Sequence, residues 1–180
     1  MTVTSKNIKI GKLSAVYDFE TVFVEQWSRI YHVIFQLVGD KAEAEDLALE
    51  TFWKLYRDPP SKGENLNGWL YRVAVNQGFN ALRARKRRSR YEVEAGAQTL
   101  GDYPSPQPEN EVVRAEQRRE VQAALGQMKP RSAKLLVLRQ SGLSYKELAT
   151  VIKVKPSSVG KLLARAEDEF EKIYRQLQGD

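Results

Sequence analysis

Residues 143–170 read LSYKELATVIKVKPSSVGKLLARAEDEF, a pattern typical of two helices joined by a tight turn. Ser144 followed by Glu147 is a capping box, which predicts that a helix begins near Tyr145. Pro156 suits the first position of a second helix, because proline lacks the N–H that would be unpaired there. Apolar residues then continue at helical spacing. The stretch therefore predicts a helix-turn-helix, whose second helix can enter a major groove of DNA.

Helical periodicity also dominates the rest of the sequence, and no alternating pattern typical of strands is present. Apolar residues recur at every third or fourth position in residues 17–38, 42–57 and 66–88, which predicts three amphipathic helices. Further helical patterns follow in residues 111–125 and 131–140. We therefore expect an all-α fold of two small helical domains joined by a flexible linker, with the helix-turn-helix in the C-terminal domain.

The segment between the two sets of helices differs from both in composition. Residues 92–110 contain three prolines, two glycines and few large apolar side chains, which is typical of a linker. We predict a flexible N-terminal extension over residues 1–16, a first helical domain over 17–91, an acidic Pro-rich linker over 92–110 and a second helical domain over 111–180. The N-terminal extension lacks the apolar core and cleavage site of a signal peptide.

The composition argues against several classes of protein. No cysteine occurs among the 180 residues, which excludes disulfides and thiolate metal sites. The absence of cysteine is compatible with a reducing cytoplasm, and we expect a cytoplasmic protein. No apolar run reaches membrane-spanning length, so we expect no membrane insertion. The only histidine, His32, belongs to no recognisable pairing of nucleophile and base, and no glycine-rich phosphate loop is present. We therefore expect no enzymatic activity, no cofactor and no bound metal.

The net charge of +6 is unevenly distributed along the chain. Residues 1–91 carry 15 Lys and Arg against 10 acidic residues, whereas residues 92–120 carry 3 against 7. Residues 121–180 are basic again, with 11 Lys and Arg against 6 acidic residues. Two basic regions around an acidic middle predict two separate surfaces for a polyanion.

The densest positive charge lies in residues 83–90, where six of eight residues are Lys or Arg. One or two cations would compensate a helix dipole, so this density favours phosphate contacts. Aromatic and amide side chains such as Trp69, Asn76 and Asn80 precede the run, and this mixture suits unpaired bases. For the rings of Trp69 and Phe79 we favour the alternative of core packing, because both fall at helical spacing.

A cluster of carboxylates lies on the predicted second helix. Glu43 and Glu45 are explained by the preference for negative charge near a helix N-terminus. Glu50 lies further along, four residues after Asp46 and beside Phe52, which favours an acidic and apolar face that binds a protein. A metal site or a general acid built from these carboxylates is a competing interpretation.

Together, these motifs resemble the extracytoplasmic-function (ECF) class of bacterial sigma factors. The matching stretches are Gly39-Asp40, Ala44-Glu45-Asp46-Leu47, Glu50-Thr51-Phe52, Trp69 to Asn76, the basic run, and residues 135–139, 142–149 and 159–166. Their order and spacing make the resemblance specific. It implies an alternative RNA polymerase sigma factor, which directs promoter-specific initiation of transcription and helps to open the DNA duplex.

The resemblance implies that core RNA polymerase is the main protein partner. The first domain is expected to bind the clamp helices of the largest polymerase subunit through Asp46, Leu49, Glu50 and Phe52, and the second domain to lie near the flap region. Leu49 stands where the family usually has glutamine, so this face is expected to be more apolar than typical. Anti-sigma factors hold many members of the family inactive, and nothing in this sequence identifies one.

The resemblance also implies which residues contact promoter DNA. Those expected at the minus-ten element, where the duplex melts, are Trp69, Arg72, Asn76, Asn80, Arg83, Lys86, Arg87 and Arg88. Those expected at the minus-thirty-five element are Lys155, Ser157, Ser158, Lys161 and Arg165. Asn80 replaces a usual aspartate, and Gly160, Leu162 and Ala164 occupy positions that are often basic. The upstream contacts are therefore the less clearly specified of the two.

Two other functions are compatible with parts of the sequence. A free-standing helix-turn-helix repressor or activator would bind promoter duplex tightly without polymerase. A metal-dependent nuclease that uses Glu43, Asp46 and Glu50 would cleave DNA only in the presence of magnesium. A sigma factor would instead bind DNA weakly alone and start transcription only with core polymerase.

Overall fold

The computed structural model describes residues 18–61, 63–94 and 109–179. Within these ranges the chain forms seven α-helices and no strand: α1 (Phe19–Val38), α2 (Lys41–Arg57), α3 (Leu66–Glu94), α4 (Glu109–Gln127), α5 (Pro130–Gln140), α6 (Tyr145–Ile152) and α7 (Pro156–Gln178). The predicted all-α class is confirmed. The N-terminal extension expected over residues 1–16 and most of the expected linker lie outside the described residues.

The first helix group, α1 to α3, packs around an apolar core. α1 ends at Gly39, whose φ of 77° lies in the left-handed region that favours glycine. Asp40 then caps α2, because its side chain accepts a hydrogen bond from the Glu43 backbone N–H at 2.7 Å. Phe79 is 2% exposed, which confirms its place in the core. Other almost fully buried side chains of this group are Ile30, Ile34, Leu37, Leu55, Leu70 and Val75.

α3 continues to Glu94, whereas apolar periodicity predicts an end near Arg88. The pattern fades within the basic run because cations replace the apolar residues that mark a buried face. Lys and Arg are nevertheless good helix formers, so the helix itself persists. The basic run is therefore part of the same helix whose earlier turns pack in the core.

Gly78 lies in the middle of α3, where a glycine costs about 1 kcal/mol relative to alanine. A Cβ at this position would lie 2.6 Å from Leu37 Cδ1 and 3.1 Å from Leu37 Cβ. Leu37 is fully buried, so its side chain has little freedom to move aside. The glycine therefore permits the close approach of α1 and α3.

Gly78→Ala is expected to destabilise the protein by about 1–3 kcal/mol, because overpacking against Leu37 outweighs the gain in helix propensity. Urea unfolding followed by circular dichroism measures the change in the free energy of unfolding. Gly126→Ala on α4 is a matched control, since a Cβ there would meet Leu82 Cδ2 at an ordinary 3.9 Å. A Gly78→Ala variant more stable than wild type would contradict the close approach.

The second helix group, α4 to α7, contains the predicted helix-turn-helix as α6 and α7. The capping box is confirmed: Ser144 Oγ accepts from the Glu147 backbone N–H at 3.3 Å, and the Glu147 carboxylate accepts from the Ser144 backbone N–H at 2.8 Å. The hydrogen bonds from Ser144 lower the pKa of Glu147. Lys153 ends α6 in the left-handed conformation with φ 56°, and Pro156 begins α7 as predicted.

The two helix groups pack against each other. α3 contacts α4, α5 and α6, and α1 contacts α4. Buried apolar residues from both groups form a continuous cluster within the described part of the chain. The sequence patterns predict two domains, but they do not predict this contact between them.

Candidate polymerase-binding and nucleic-acid interfaces

α2 presents an acidic and apolar face to solvent. Asp46, Leu49 and Glu50 are all exposed, and their spacing of three and four residues places them on one side of the helix. Glu50 forms an ion pair with Lys54 at 2.8 Å. The hydrogen bond from Lys54 lowers the pKa of Glu50, so this carboxylate stays charged at neutral pH. Three of the four residues predicted for polymerase binding therefore share an open surface.

Phe52, the fourth residue predicted for this surface, lies in the core. Its side chain is 1% exposed, and its ring centroid lies 4.8 Å from that of Phe23 and 6.0 Å from that of Trp27. A helix turns by about 100° per residue, so a residue two positions after Glu50 faces the opposite side of α2. The prediction of a surface contact is therefore corrected: Phe52 supports this face from beneath.

Two aromatic residues that no sequence pattern assigned to this surface are exposed beside it. Trp53 is 58% exposed and Tyr56 is 37% exposed, and their rings stack with centroids 5.8 Å apart. Leu49, Trp53 and Tyr56 follow one another at steps of four and three residues, so they form a stripe along α2. That spacing is the signal in the sequence that could have identified them.

The residues predicted for the minus-ten element follow one side of α3. Successive residues are three or four positions apart, which places them on neighbouring turns: Trp69, Arg72, Asn76, Asn80, Arg83 and Arg87. We call this set the α3 stripe. Its second half, from Asn80 onwards, is exposed, and so are the adjacent Lys86 and Arg88. The cations therefore continue a surface that begins with an aromatic ring and amides.

The first half of the α3 stripe is less accessible. Arg72 donates to Glu64 at 2.7 Å, in an ion pair whose side chains are 32% and 35% exposed. Trp69 is partly buried against the core. The Asn76 side-chain oxygen accepts a hydrogen bond from Lys134 Nζ of α5 at 2.5 Å. In this conformation, the Asn76 side-chain oxygen, at the middle of the α3 stripe, is therefore already hydrogen-bonded to the second helix group.

The beginning of α7 carries the second predicted DNA surface. The helix turns its small and apolar residues Val159, Leu163 and Ala166 into the core. The opposite side is exposed and contains all five residues predicted for the minus-thirty-five element: Lys155, Ser157, Ser158, Lys161 and Arg165. The structure thus brings these five residues together on the open side of the helix-turn-helix.

Within residues 18–61, 63–94 and 109–179, no cluster of three or more His, Asp or Glu side chains could hold a metal ion. The nuclease interpretation requires Glu43, Asp46 and Glu50 to converge on a metal, and they do not form such a cluster. No described helix combines the length and apolar character that crossing a lipid bilayer requires.

Two family models match these regions of the chain. The model of Sigma-70 region 2 matches residues 23–88, which include the α2 face and the α3 stripe. The model of Sigma-70, region 4 matches residues 118–169, which include α6 and the first half of α7. The two candidate DNA surfaces therefore fall in separate matched regions.

Curated relatives cover nearly the whole chain. The RNA polymerase sigma-H factor of Pseudomonas aeruginosa is 31% identical over 170 residues, which cover 88% of this chain and 87% of that protein. The ECF RNA polymerase sigma factor SigE of Mycolicibacterium smegmatis is 28% identical over 89% of this chain, which spans only 63% of the relative. The ECF RNA polymerase sigma-E factor of Haemophilus influenzae is 31% identical over 141 residues, which cover 73% of this chain and 75% of that protein. This chain therefore belongs to the extracytoplasmic-function class of RNA polymerase sigma factors. These relatives give no support to a free-standing repressor.

Two solved structures share the fold. RpoE from Bartonella quintana, determined with the anti-sigma factor NepR, has a TM-score of 0.55 at 19% identity, over 89% of this chain and 98% of that chain. CnrH, determined with the cytosolic domain of CnrY, has a TM-score of 0.60 at 15% identity, over 90% and 88%. At such identities the similarity concerns the fold alone.

Proposed function

We propose that this chain binds core RNA polymerase and directs promoter-specific initiation of transcription in the cytoplasm, without catalytic chemistry of its own. The observation that carries the proposal is the presence of three different exposed surfaces on one chain. These surfaces are the acidic and apolar face of α2, the cationic half of the α3 stripe and the open side of α7. Membership of the ECF class supports the same function.

The face of α2 suits a basic partner with apolar residues. Asp46 and Glu50 offer negative charge, while Leu49, Trp53 and Tyr56 offer apolar area, and aromatic residues of this kind often dominate binding energy. We propose that the partner is the clamp helices of the largest polymerase subunit, and that the flap region receives the second helix group. The similar structure of RpoE contains an anti-sigma factor. We propose that an anti-sigma factor is a further partner of this chain.

The α3 stripe suits opened minus-ten DNA. Trp69 offers a ring for stacking, Asn76 and Asn80 offer amides for the edges of unpaired bases, and the basic run offers cations for phosphates. A protein that binds the opened strand better than the duplex shifts the equilibrium towards opening. Residues 17–91 would thus combine polymerase binding with DNA melting.

The exposed side of α7 suits duplex DNA at the minus-thirty-five element. Lys155, Lys161 and Arg165 can reach phosphates or base edges, and Ser157 and Ser158 can hydrogen-bond to either. Phosphate contacts position a protein on DNA, whereas base contacts specify the sequence. Residues 111–180 would thus form the upstream DNA-binding unit, separated from residues 17–91 by the acidic linker at 92–110.

Reconstituted transcription tests the proposed function. Purified chain and core RNA polymerase are mixed with a pool of promoter fragments from the source genome, and transcripts are sequenced. Promoter-dependent transcripts are expected only when both proteins are present. Tight duplex binding without polymerase would favour a repressor, and the absence of promoter-dependent transcripts with folded chain and active core would exclude a sigma factor.

Replacing Asp46 and Glu50 together by Ala is expected to weaken core association at least about tenfold, which corresponds to about 1.4 kcal/mol. The two carboxylates lie on the proposed contact face, and their loss removes its negative charge. Fluorescence anisotropy of labelled chain titrated with core polymerase measures the effect. Replacing Glu20 and Glu25 of α1 by Ala removes the same charge from exposed positions elsewhere. Equal losses in both variants would contradict a specific role for α2.

A further inference from the structure

Gln77 places an amide group in the core of the first helix group. It lies on α3 and is only 7% exposed, in the same part of the helix as the buried Ala74 and Val75. A buried amide destabilises a core unless its N–H and C=O groups are hydrogen-bonded. The partners of the Gln77 amide therefore show whether it is there for stability.

The oxygen of this amide contacts α2. Thr51 is fully buried, and its hydroxyl donates to Gln77 Oε1 at 2.6 Å. The same hydroxyl lies 2.9 Å from the Leu47 carbonyl oxygen, which is a second acceptor. A hydroxyl has a single hydrogen, so it donates to only one of these oxygens at a time. Gln77 is thus joined, through a shared hydrogen, to the residue that directly follows Glu50 on α2.

The nitrogen of the Gln77 amide faces Glu50 from beneath the surface of α2. Nε2 is buried and has no hydrogen-bond partner among the residues that the structure describes. The pKa of Glu50 is lowered first by Lys54 and additionally by the amide of Gln77. An amide favours the charged form of a carboxyl group only through its N–H end. Nε2 therefore points towards the Glu50 carboxylate without closing a full hydrogen bond.

Packing alone does not explain an amide at this position. A methionine side chain is similar in size to glutamine, fills irregular gaps in a core and leaves no N–H unpaired. Replacing an incompletely paired polar group by an apolar group of the same shape is often neutral or stabilising. Groups that reduce stability in this way are typical of functional sites. The Gln77 amide is therefore better explained by what it does to Glu50.

The other partner of Glu50 lies on the surface. Lys54 pairs with Glu50 at 2.8 Å, and the two side chains are 36% and 49% exposed. An exposed ion pair of this kind contributes little free energy, so a cation of a bound partner can replace Lys54. Such a cation cannot replace Gln77, because this amide is neutral and covered by the core. Gln77 is thus the partner of Glu50 that remains in place when a protein binds to α2.

We propose that Gln77 is a positioning residue for polymerase binding: its buried amide holds the Glu50 carboxylate on the face of α2 while a cation of polymerase replaces Lys54. In the complex, Nε2 closes its hydrogen bond to Glu50 and gains the partner that it lacks in the free chain. This inference rests on the proposed function. It adds to the polymerase-binding face a buried residue that acts through Glu50 alone.

Gln77→Met tests the inference in the free chain. Carbon-detected NMR titration of the carboxyl groups measures the pKa of Glu50, and urea unfolding measures stability. The pKa of Glu50 is expected to rise, because a group that favours its charged form is lost, while stability is equal or higher. An unchanged pKa would overturn the inference. Thr51→Val, which removes the hydroxyl that orients the amide, is expected to raise the same pKa less and serves as a second variant if Gln77→Met does not fold.

Anisotropy titrations with core polymerase provide the second arm. Gln77→Met is expected to weaken core association at least about threefold, and to have no effect in a Glu50→Ala background. Equal weakening with and without the Glu50 carboxylate would contradict a role through Glu50. Gln26→Met is the matched control, because Gln26 is an equally buried amide on α1 whose Oε1 also lacks a partner in the described ranges. Core association of this control is expected to be normal, and a loss as large as that of Gln77→Met would indicate a general effect of the core.

Lys54→Met distinguishes the two partners of Glu50. This variant is expected to bind core at least as tightly as wild type, because Lys54 is replaced in the complex. A loss as large as that of Gln77→Met would exclude the replacement of Lys54. The NMR titration needs neither polymerase nor promoter, so it stands if the proposed function fails. An unchanged pKa of Glu50 would overturn the role of Gln77 even where transcription is promoter-dependent.

Discussion

Phe52→Ala is expected to lower the free energy of unfolding by about 3–5 kcal/mol, whereas Trp53→Ala changes it by less than about 1 kcal/mol. Phe52 is 1% exposed and packs against the rings of Phe23 and Trp27, so its removal leaves a cavity. Trp53 is 58% exposed, so its removal leaves none. Urea unfolding of the two variants, compared with wild type, measures both changes.

For binding to core polymerase we expect the reverse: substitution of Trp53 has a large effect, and substitution of Phe52 has a small one. Trp53→Ala should weaken binding to core polymerase at least about tenfold, because a large exposed ring on the contact face is typical of a binding hot spot. A conservative Phe52→Leu variant, which keeps most of the buried volume, should bind core almost normally. Strong loss of binding in Phe52→Leu with retained stability would instead restore Phe52 as a contact residue.

Replacing Arg83, Arg87 and Arg88 by Ala is expected to weaken binding of single-stranded minus-ten DNA by the holoenzyme roughly 50-fold at 0.15 M salt. Each phosphate contact to a single strand contributes about 0.7 to the slope of log K against log salt concentration, so three contribute about 2. All three side chains are exposed on or beside the α3 stripe. Anisotropy titrations at several salt concentrations measure the affinity and the slope together.

A second triple variant with the same net charge as the arginine variant serves as a control. It distinguishes an effect of the α3 stripe on DNA binding from an effect of total charge. Lys41, Lys146 and Lys172 are exposed and lie outside both candidate DNA surfaces, so their replacement by Ala removes three positive charges elsewhere. This control is expected to change the salt slope by less than about 0.5. Equal slopes in the two triple variants would show that total charge, rather than the α3 stripe, determines binding.

Short-range sequence signals predicted most of the local structure correctly. The capping box of Ser144 and Glu147, Pro156 at the start of α7 and Gly39 at the end of α1 all act within one or two helical turns. The chemistry of each residue therefore specifies its own turn, independently of residues that are distant in the sequence. The end of α3 was predicted too early, because apolar periodicity reports burial rather than helicity.

The candidate site was predicted less completely than the helices. Asp46 and Glu50 were found through their charge, and residues 83–90 through their density of cations. Phe52 was assigned to the wrong side of α2, and Trp53 was not assigned to the surface. An aromatic residue is compatible with either the core or a binding face, so its type alone does not determine its exposure.

The sequence by itself determined the seven helices, the helix-turn-helix and the positions of the charged surfaces, because hydrogen bonds and helical spacing act over a few residues. Only the tertiary structure decided the contact between the two helix groups. Lys134 and Asn76 are 58 positions apart, and Gln122 and Gln36 are 86 apart. Such pairs form only when two folded surfaces are complementary in shape, and no local sequence pattern predicts that complementarity.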